Sequence, residues 1–206
     1  MRTKTWGALG LLLAVAAAAS AQDDEMVANP KYKFWASHKP GTTAVYHEVT
    51  KFTGSEKESV PEGKEEKTIH YKLLSVSKDK VVVQTTVVEE ECLGTVEHAP
   101  TRLTFPAKVK KANLDAVFEE FGVKDEPKEE TVKVGNDEIK CKVLSGTKKK
   151  DDATITYKLY YSDSVPGGIV KRTRVTKSGD KFGADTTVML KSFAGPKKKK
   201  EKGKDD

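Results

Sequence analysis

The first candidates for chemistry in this chain of 206 residues are its four histidines, which are His38, His47, His70 and His98. His47-Glu48 lacks the second histidine that a zinc-binding H-E-x-x-H helix needs four positions further on. His47 and His70 fall on the first two predicted strands and could face each other as two metal ligands. No third ligand is identifiable, so the sequence predicts no metal site. Solvent-facing strand positions are the alternative for both residues.

Two acidic runs, Glu89-Glu90-Glu91 and Glu129-Glu130, could hold a pair of carboxylates for acid–base catalysis. Nothing beside them in the sequence would desolvate them enough to raise a carboxyl pKa. The sequence contains no G-x-S-x-G elbow, no Walker loop and no G-x-G-x-x-G segment. We therefore predict no catalytic residue and no cofactor, and expect a protein that is not an enzyme.

Residues Met1–Ala21 have the features of a secretory signal peptide. Arg2 and Lys4 precede an apolar run over 6–18, and Ala19-Ser20-Ala21 forms a small-x-small cleavage site. The alternative is an uncleaved anchor. The sequence thus predicts a periplasmic or extracellular protein that is cleaved before Gln22.

Cys92 and Cys141 are the two cysteines of the chain, and they lie 49 positions apart. Disulfides persist in the oxidising compartment to which the signal would direct the chain. A disulfide that closes a loop of this length stabilises by roughly 4 kcal/mol in the chain-entropy model. We expect a Cys92–Cys141 disulfide, with two free thiols as the alternative.

The net charge of +6 is carried mostly by the two ends of the chain. The signal contributes +2 and residues 196–206 contribute +3, which leaves +1 for the body. The tail has no apolar side chain to bury and is predicted to be disordered. Lys197, Lys198, Lys199 and Lys200 could make a weak contact with an anionic surface, or the tail is merely a solvated segment. A body of charge +1 argues against nucleic-acid binding.

The sequence predicts a disordered leader over 22–30 and a single β-rich domain over 31–195. Thr68–Ser77 and Ala153–Ser162 alternate between apolar and polar residues, as half-buried strands do. Asn113–Phe121 has an N-cap and apolar residues at helical spacing, and no βαβ alternation occurs. We expect a mainly β fold, a curved antiparallel half-barrel or barrel of about eight or nine strands with one short helix.

Two segments carry a resemblance to a known group of proteins. The first runs from Trp35 through Pro40-Gly41-Thr42 to Val45, and the second from Tyr161 through Val165-Pro166-Gly167-Gly168 to Lys171. They resemble uncharacterised exported β-rich bacterial proteins of the planctomycete kind. The strand-rich pattern is also similar, at the level of fold, to half-barrel carriers of lipoproteins or lipids in the periplasm.

The second segment also contains the candidate loop of the sequence. It forms either a structural turn or the mouth of a ligand site. The candidate residues of this segment are Tyr161, Pro166, Gly167 and Gly168. Trp35 of the first segment is a further candidate, either as a ligand clamp or as a plug that closes one end of the sheet.

These observations favour two functions. The first is an exported binding or carrier protein for an unknown ligand, which could be apolar or lipid-like. The helix would then lie across a groove that apolar strand residues line or fill, namely Ile69, Tyr71, Leu73, Val81, Val83, Ile155, Tyr157 and Leu159. The alternative is a structural or interaction protein of the cell envelope with a solid core. The expected partners are accordingly an apolar small molecule or an envelope protein.

Overall fold

The computed structural model describes residues 25–54, 63–91, 94–111, 127–150, 152–178 and 182–196. In these residues the chain forms twelve strands and one helix. The elements in chain order are β1 Met26–Ala28, α1 Pro30–Ala36, β2 Thr43–Thr53, β3 Gly63–Val76, β4 Lys80–Glu91, β5 Gly94–Glu97, β6 Thr101–Pro106, β7 Lys108–Lys110, β8 Lys128–Val134, β9 Asp137–Lys150, β10 Ala153–Tyr161, β11 Ile169–Ser178 and β12 Phe182–Ala194.

Ten of these strands form one antiparallel sheet that does not close on itself. Its order is β4-β3-β2-β12-β11-β10-β9-β8, and β5 and β6 both pair with β4. Most neighbours in the sheet are consecutive in the chain, as expected where short connections join antiparallel strands. The predicted mainly β fold with a large antiparallel sheet is confirmed, and the open order agrees with a curved sheet or half-barrel. The remaining strands, β1 and β7, pair as a short ribbon.

The core follows from the alternation of apolar residues along the strands. We call the inner face of the sheet the face that carries Tyr46 of β2 with Ile69 and Tyr71 of β3, because directly paired residues share a face. Six of the eight residues predicted to line or fill a groove are buried in two clusters, and these are Leu73, Val81, Val83, Ile155, Tyr157 and Leu159. Ile69 and Tyr71 are partly buried and pack against the first cluster.

One prediction is corrected, and two parts of the secondary structure were not predicted. Strand β3 begins at Gly63, because residues 63–67 pair with the end of β2. The aromatic segment around Trp35 forms helix α1. Residues 26–28 of the predicted disordered leader form β1, because they pair with 108–110 of β7.

The predicted disulfide is not formed. Cys141 of β9 is a buried free cysteine, and its Sγ lies 3.4 Å from the backbone oxygen of Ile139. The side chain belongs to the same buried cluster as Leu73 and Leu190. Cys92 lies outside the described residues.

Several other predictions also fall outside the described residues. They are the signal peptide at Met1–Ala21, the helix at Asn113–Phe121 and the lysines Lys197–Lys200 of the tail. Among the residues that are described, no helix has the length and apolar character needed to cross a membrane.

Candidate functional site

Helix α1 is fixed at one end of the sheet by its N-cap. The side-chain oxygen of Asn29 accepts a hydrogen bond from the Lys31 N–H at 3.0 Å. Its Nδ2 donates to the Pro106 oxygen at 2.8 Å, which ties the helix to the end of β6. Pro30 occupies the first turn, where its missing N–H is not needed. At the other side, the Tyr32 hydroxyl donates to the Ser77 oxygen at 2.8 Å in the β3–β4 turn.

The candidate loop lies against the aromatic residues of this helix. Gly167 and Gly168 both have positive φ, at 78° and 76°. A Cβ on Gly167 would lie only 3.1 Å from Trp35 Cζ2, and a Cβ on Gly168 would overlap the Phe34 ring. The Phe34 and Tyr161 rings meet edge to face with centroids 6.1 Å apart. The structure thus brings all five candidate residues, Trp35, Tyr161, Pro166, Gly167 and Gly168, to one place.

Tyr46, on the inner face of the sheet, is hydrogen-bonded to the backbone of this loop. Its hydroxyl hydrogen faces two backbone acceptors, the Pro166 oxygen at 3.1 Å and the Ile169 oxygen at 2.9 Å. The side chain is buried on the inner face, and its ring meets the Tyr71 ring edge to face at 5.5 Å. Burial strongly raises the pKa of Tyr46, and the neighbouring Tyr71 charge adds to this effect. The hydroxyl is therefore a permanent donor that fixes the backbone of the loop.

A cavity of about 350 Å³ lies between α1 and the inner face of the sheet. Its walls are mainly apolar and aromatic, and we call it the apolar half of the cleft. The apolar lining residues are Trp35, Tyr46, Ile69, Tyr71, Leu103, Phe105, Ile169 and Val188. This volume is within the range of small-molecule sites. Leu103 is 37% exposed and stands at the rim, so the cavity opens to solvent beside β6.

A second cavity of about 450 Å³ continues the first along the sheet, and we call it the polar half of the cleft. Four residues line both halves and so join them, namely Glu48, Ile69, Tyr71 and Arg172. The lining that belongs to the polar half alone is formed by Lys67, Thr85, Val87, Glu89, His98, Ala99 and Thr101. The cleft as a whole therefore changes from apolar walls beneath α1 to charged walls near β5.

A row of charged residues crosses the inner face within this cleft. Arg172 pairs in register with Val188, Val188 with Glu48, Glu48 with Lys67, and Lys67 with Glu89. Lys67 Nζ lies 2.8 Å from Glu48 Oε1, whereas Arg172 Nη2 lies 4.0 Å from Glu48 Oε2. The Glu48 side chain is only 15% exposed. Its hydrogen bond to Lys67 raises the pKa of that lysine.

One polar atom in the cleft has no partner. The Thr85 Oγ1 is buried and makes no hydrogen bond to any residue that the structure describes. Thr85 pairs in register with Tyr71, so its side chain is on the inner face. A buried hydroxyl without a partner is uncommon in folded proteins and costs free energy, typically about 1–3 kcal/mol. Such an atom beside a cavity marks a position where a bound molecule can supply the missing hydrogen bond.

A further cavity of about 350 Å³ lies on the other side of α1. Its apolar floor includes Phe34, Leu144 and Leu159, and Lys31, Gly167 and Ile169 line both this cavity and the apolar half of the cleft. Three lysines and one acidic residue also line it, namely Lys31, Lys33, Lys142 and Asp163. The surroundings of α1 are therefore positively charged on both sides.

The histidines lie at separate places on the sheet, and one of them contacts an acidic run. His47 Nε2 lies 3.0 Å from Glu66 Oε2, and His70 pairs in register with Val45, so the two histidines are diagonal neighbours on the outer face. His98 Nε2 lies 3.1 Å from Glu89 Oε2. In the described ranges there is no cluster of three or more side chains that could hold a metal ion.

The comparisons with known proteins add little to this geometry. No family model matches the chain, and no curated protein matches it significantly. Among solved structures, the S-type phycobiliprotein lyase CPES from Guillardia theta matches with a TM-score of 0.28 and 7% identity, covering 75% of this chain and 88% of that chain. A similarity at this level carries no argument about fold or ligand.

The expectation that the protein is not an enzyme is corrected at this point. It was based on the absence of known catalytic motifs, and the matching structure is named as a lyase. We therefore withdraw the exclusion of catalysis and infer no activity in its place.

Proposed function

We propose that this protein binds or carries an apolar or amphipathic small molecule in the cleft between α1 and the inner face of the sheet. The observation that supports the proposal is the apolar half of the cleft, a cavity of about 350 Å³ whose walls include Trp35, Tyr46 and Phe105. Ligand sites are typically concave and apolar with a few polar groups, and this cleft has that composition.

The second candidate, a structural or interaction protein with a solid core, is supported by the β8–β10 part of the sheet. There Ile155, Tyr157 and Leu159 form a buried cluster of their own. The inner face below β2 and β3 is not filled in the same way, because Ile69 and Tyr71 line a cavity. We therefore favour the binding function.

A blocking substitution with a matched control tests the proposal. Leu103 and Val96 are both exposed apolar strand residues, at 37% and 39%, but only Leu103 lines the cleft. Binding of the neutral dye Nile red and of decan-1-ol is measured by fluorescence and calorimetry. We expect Leu103→Trp to weaken both at least tenfold and Val96→Trp to leave them unchanged. Failure of the unaltered protein to bind either probe would overturn the proposal.

We further propose, from the sequence alone, that the protein is exported and that its mature chain begins at Gln22. N-terminal sequencing of protein from its natural source tests this, and an intact Met1 would contradict it. A contact of Lys197–Lys200 with an anionic surface is part of the same proposal. Deleting residues 197–206 would then reduce binding to vesicles that contain anionic lipid, but not to neutral vesicles.

A further inference from the structure

The cleft has a charge distribution that depends on position along the sheet. In its apolar half the charged lining residues are Lys31, Glu48 and Arg172, and Glu48 is already bonded to Lys67 at 2.8 Å. Lys31 Nζ lies 5.8 Å from the centre of the Phe105 ring, above the apolar wall. The balance beneath α1 is therefore positive, because the one carboxylate there is neutralised by a residue of the polar half.

The far end of the cleft has the opposite character. A cavity of about 250 Å³ beyond the polar half is lined by Glu48, Thr50, Glu65, Glu66, Lys67, Glu89 and Glu90. Glu48 pairs with Lys67 and Glu66 pairs with Lys64. The remaining carboxylates, those of Glu65, Glu89 and Glu90, make this end negative. An anionic group in the cleft is repelled from this end and attracted toward Arg172 and Lys31.

The junction of the two halves offers hydrogen-bond donors as well as charge. Arg172 lines both halves, and its Nη2 lies 4.0 Å from Glu48 Oε2. Tyr71 also lines both halves, together with Arg172 and Glu48. The unpartnered hydroxyl of Thr85 is on the strand position paired with Tyr71.

Building on the proposed function, we propose that the ligand is amphipathic with an anionic head group. The head group is held at the junction by Arg172 and by the hydroxyls of Tyr71 and Thr85, and the apolar body lies beneath α1 against Trp35 and Phe105. A guanidinium binds a carboxylate through two parallel N–H···O bonds, and the Thr85 hydroxyl gains the partner that it lacks in the free protein. The acidic end of the cleft sets the orientation of the ligand, because it repels the head group from the side near β5.

Three ten-carbon probes that differ only in their head group test the inference. Decanoate, decan-1-ol and decyltrimethylammonium are titrated into the full chain by calorimetry at neutral pH. We expect decanoate to bind at least tenfold more tightly than decan-1-ol, with decyltrimethylammonium weakest. This preference should fall as salt concentration rises, because the attraction is partly screened.

Substitutions at the junction identify the side chains that cause the preference for decanoate. Arg172→Gln should weaken decanoate binding much more than decan-1-ol binding, and so remove most of the preference for decanoate. Thr85→Val keeps the side-chain shape, removes the hydroxyl and should reduce the preference several-fold. Lys72→Gln is the control, because Lys72 is exposed on the outer face of β3 and is not a lining residue of the cleft or of its acidic end. Circular dichroism confirms that each variant is folded.

The outcomes separate this inference from the proposed function. Equal binding of decanoate and decan-1-ol would overturn the anionic head group and leave the apolar cleft as a ligand site. Tighter binding of decyltrimethylammonium would also overturn it and would indicate that the acidic end selects the ligand. Binding of none of the three probes would count against the proposed function itself.

Discussion

The ring of Phe34 lies directly over the backbone of Gly168, where any Cβ would overlap it. Gly168 also has a φ of 76°, which L side chains rarely adopt. Alanine at this position would have to strain the backbone and displace Phe34 from Tyr161. We expect Gly168→Ala to lower the free energy of unfolding by roughly 2–5 kcal/mol, from left-handed strain together with overpacking.

A substitution at Gly135 measures the backbone strain without the overpacking. The φ of Gly135 is 61°, and nothing lies within 4 Å of a Cβ placed there. Gly135→Ala should therefore cost only the backbone strain, about 1–2 kcal/mol. Urea denaturation of both variants gives the comparison. Equal losses would show that Phe34 moves aside freely and that the loop and helix are not firmly packed.

The Tyr46 hydroxyl is the second contact that holds the candidate loop. Tyr46→Phe keeps the ring but leaves the oxygens of Pro166 and Ile169 without this donor. We expect a loss of about 1–3 kcal/mol, because the site is buried. Tyr32→Phe is the control, since its hydroxyl bond to the Ser77 oxygen is exposed and should contribute roughly 0.5–1 kcal/mol. Similar losses in the two variants would contradict a special role for Tyr46.

The same hydroxyl predicts a loss of stability in alkali. Burial raises the pKa of Tyr46 above its ordinary value of 10.0, so the unfolded chain releases this proton at lower pH than the folded chain does. Its contribution to stability is complete below pH 10 and is lost as pH rises toward the folded pKa. The pKa values of Tyr71 and Tyr161 are raised as well, also mainly by burial.

Above pH 10, the raised pKa of Tyr46 lowers the free energy of unfolding by about 1.4 kcal/mol for each pH unit, until the folded pKa is reached. Urea denaturation between pH 9 and 12 should therefore show a flatter decline for Tyr46→Phe than for the unaltered protein. Parallel declines would mean that Tyr46 ionises in the folded state without cost. Tyrosinate absorbance during the same titration reports directly when the hydroxyl loses its proton.

The strands could be predicted from the sequence because their alternation is a local property. Helix α1 was missed, although Asn29-Pro30 is a recognisable helix start, because its seven residues are too few to show a helical period. The strand at residues 63–67 was missed because pairing with β2, and not propensity, extends β3 there.

Much of the candidate site depends on contacts that are distant in sequence. Trp35 and Gly167 were singled out separately, but only the fold shows that they touch. Glu48, Lys67 and Arg172 were not predicted as site residues, because nothing in the local sequence distinguishes them from other charged residues. Their alignment follows from the register of β2 with β3 and β12, and of β12 with β11, and no local pattern in the sequence encodes that register.

The environment of Cys141 predicts a thiol that is inert in the folded protein. The residue is only 2% exposed, and burial raises the pKa of its thiol above the ordinary value. Since the thiolate is the reactive form, both effects slow its reaction with thiol reagents. In a Cys92→Ser chain, we expect labelling by an aromatic disulfide reagent to be at least a hundredfold slower in buffer than in denaturant. Fast labelling of the folded chain would show that β9 opens readily.

Mass spectrometry of the unaltered protein before and after reduction tests the disulfide itself. We expect an unchanged mass, because Cys141 is a free cysteine in the structure. A gain of two hydrogens on reduction would mean that Cys141 pairs with Cys92.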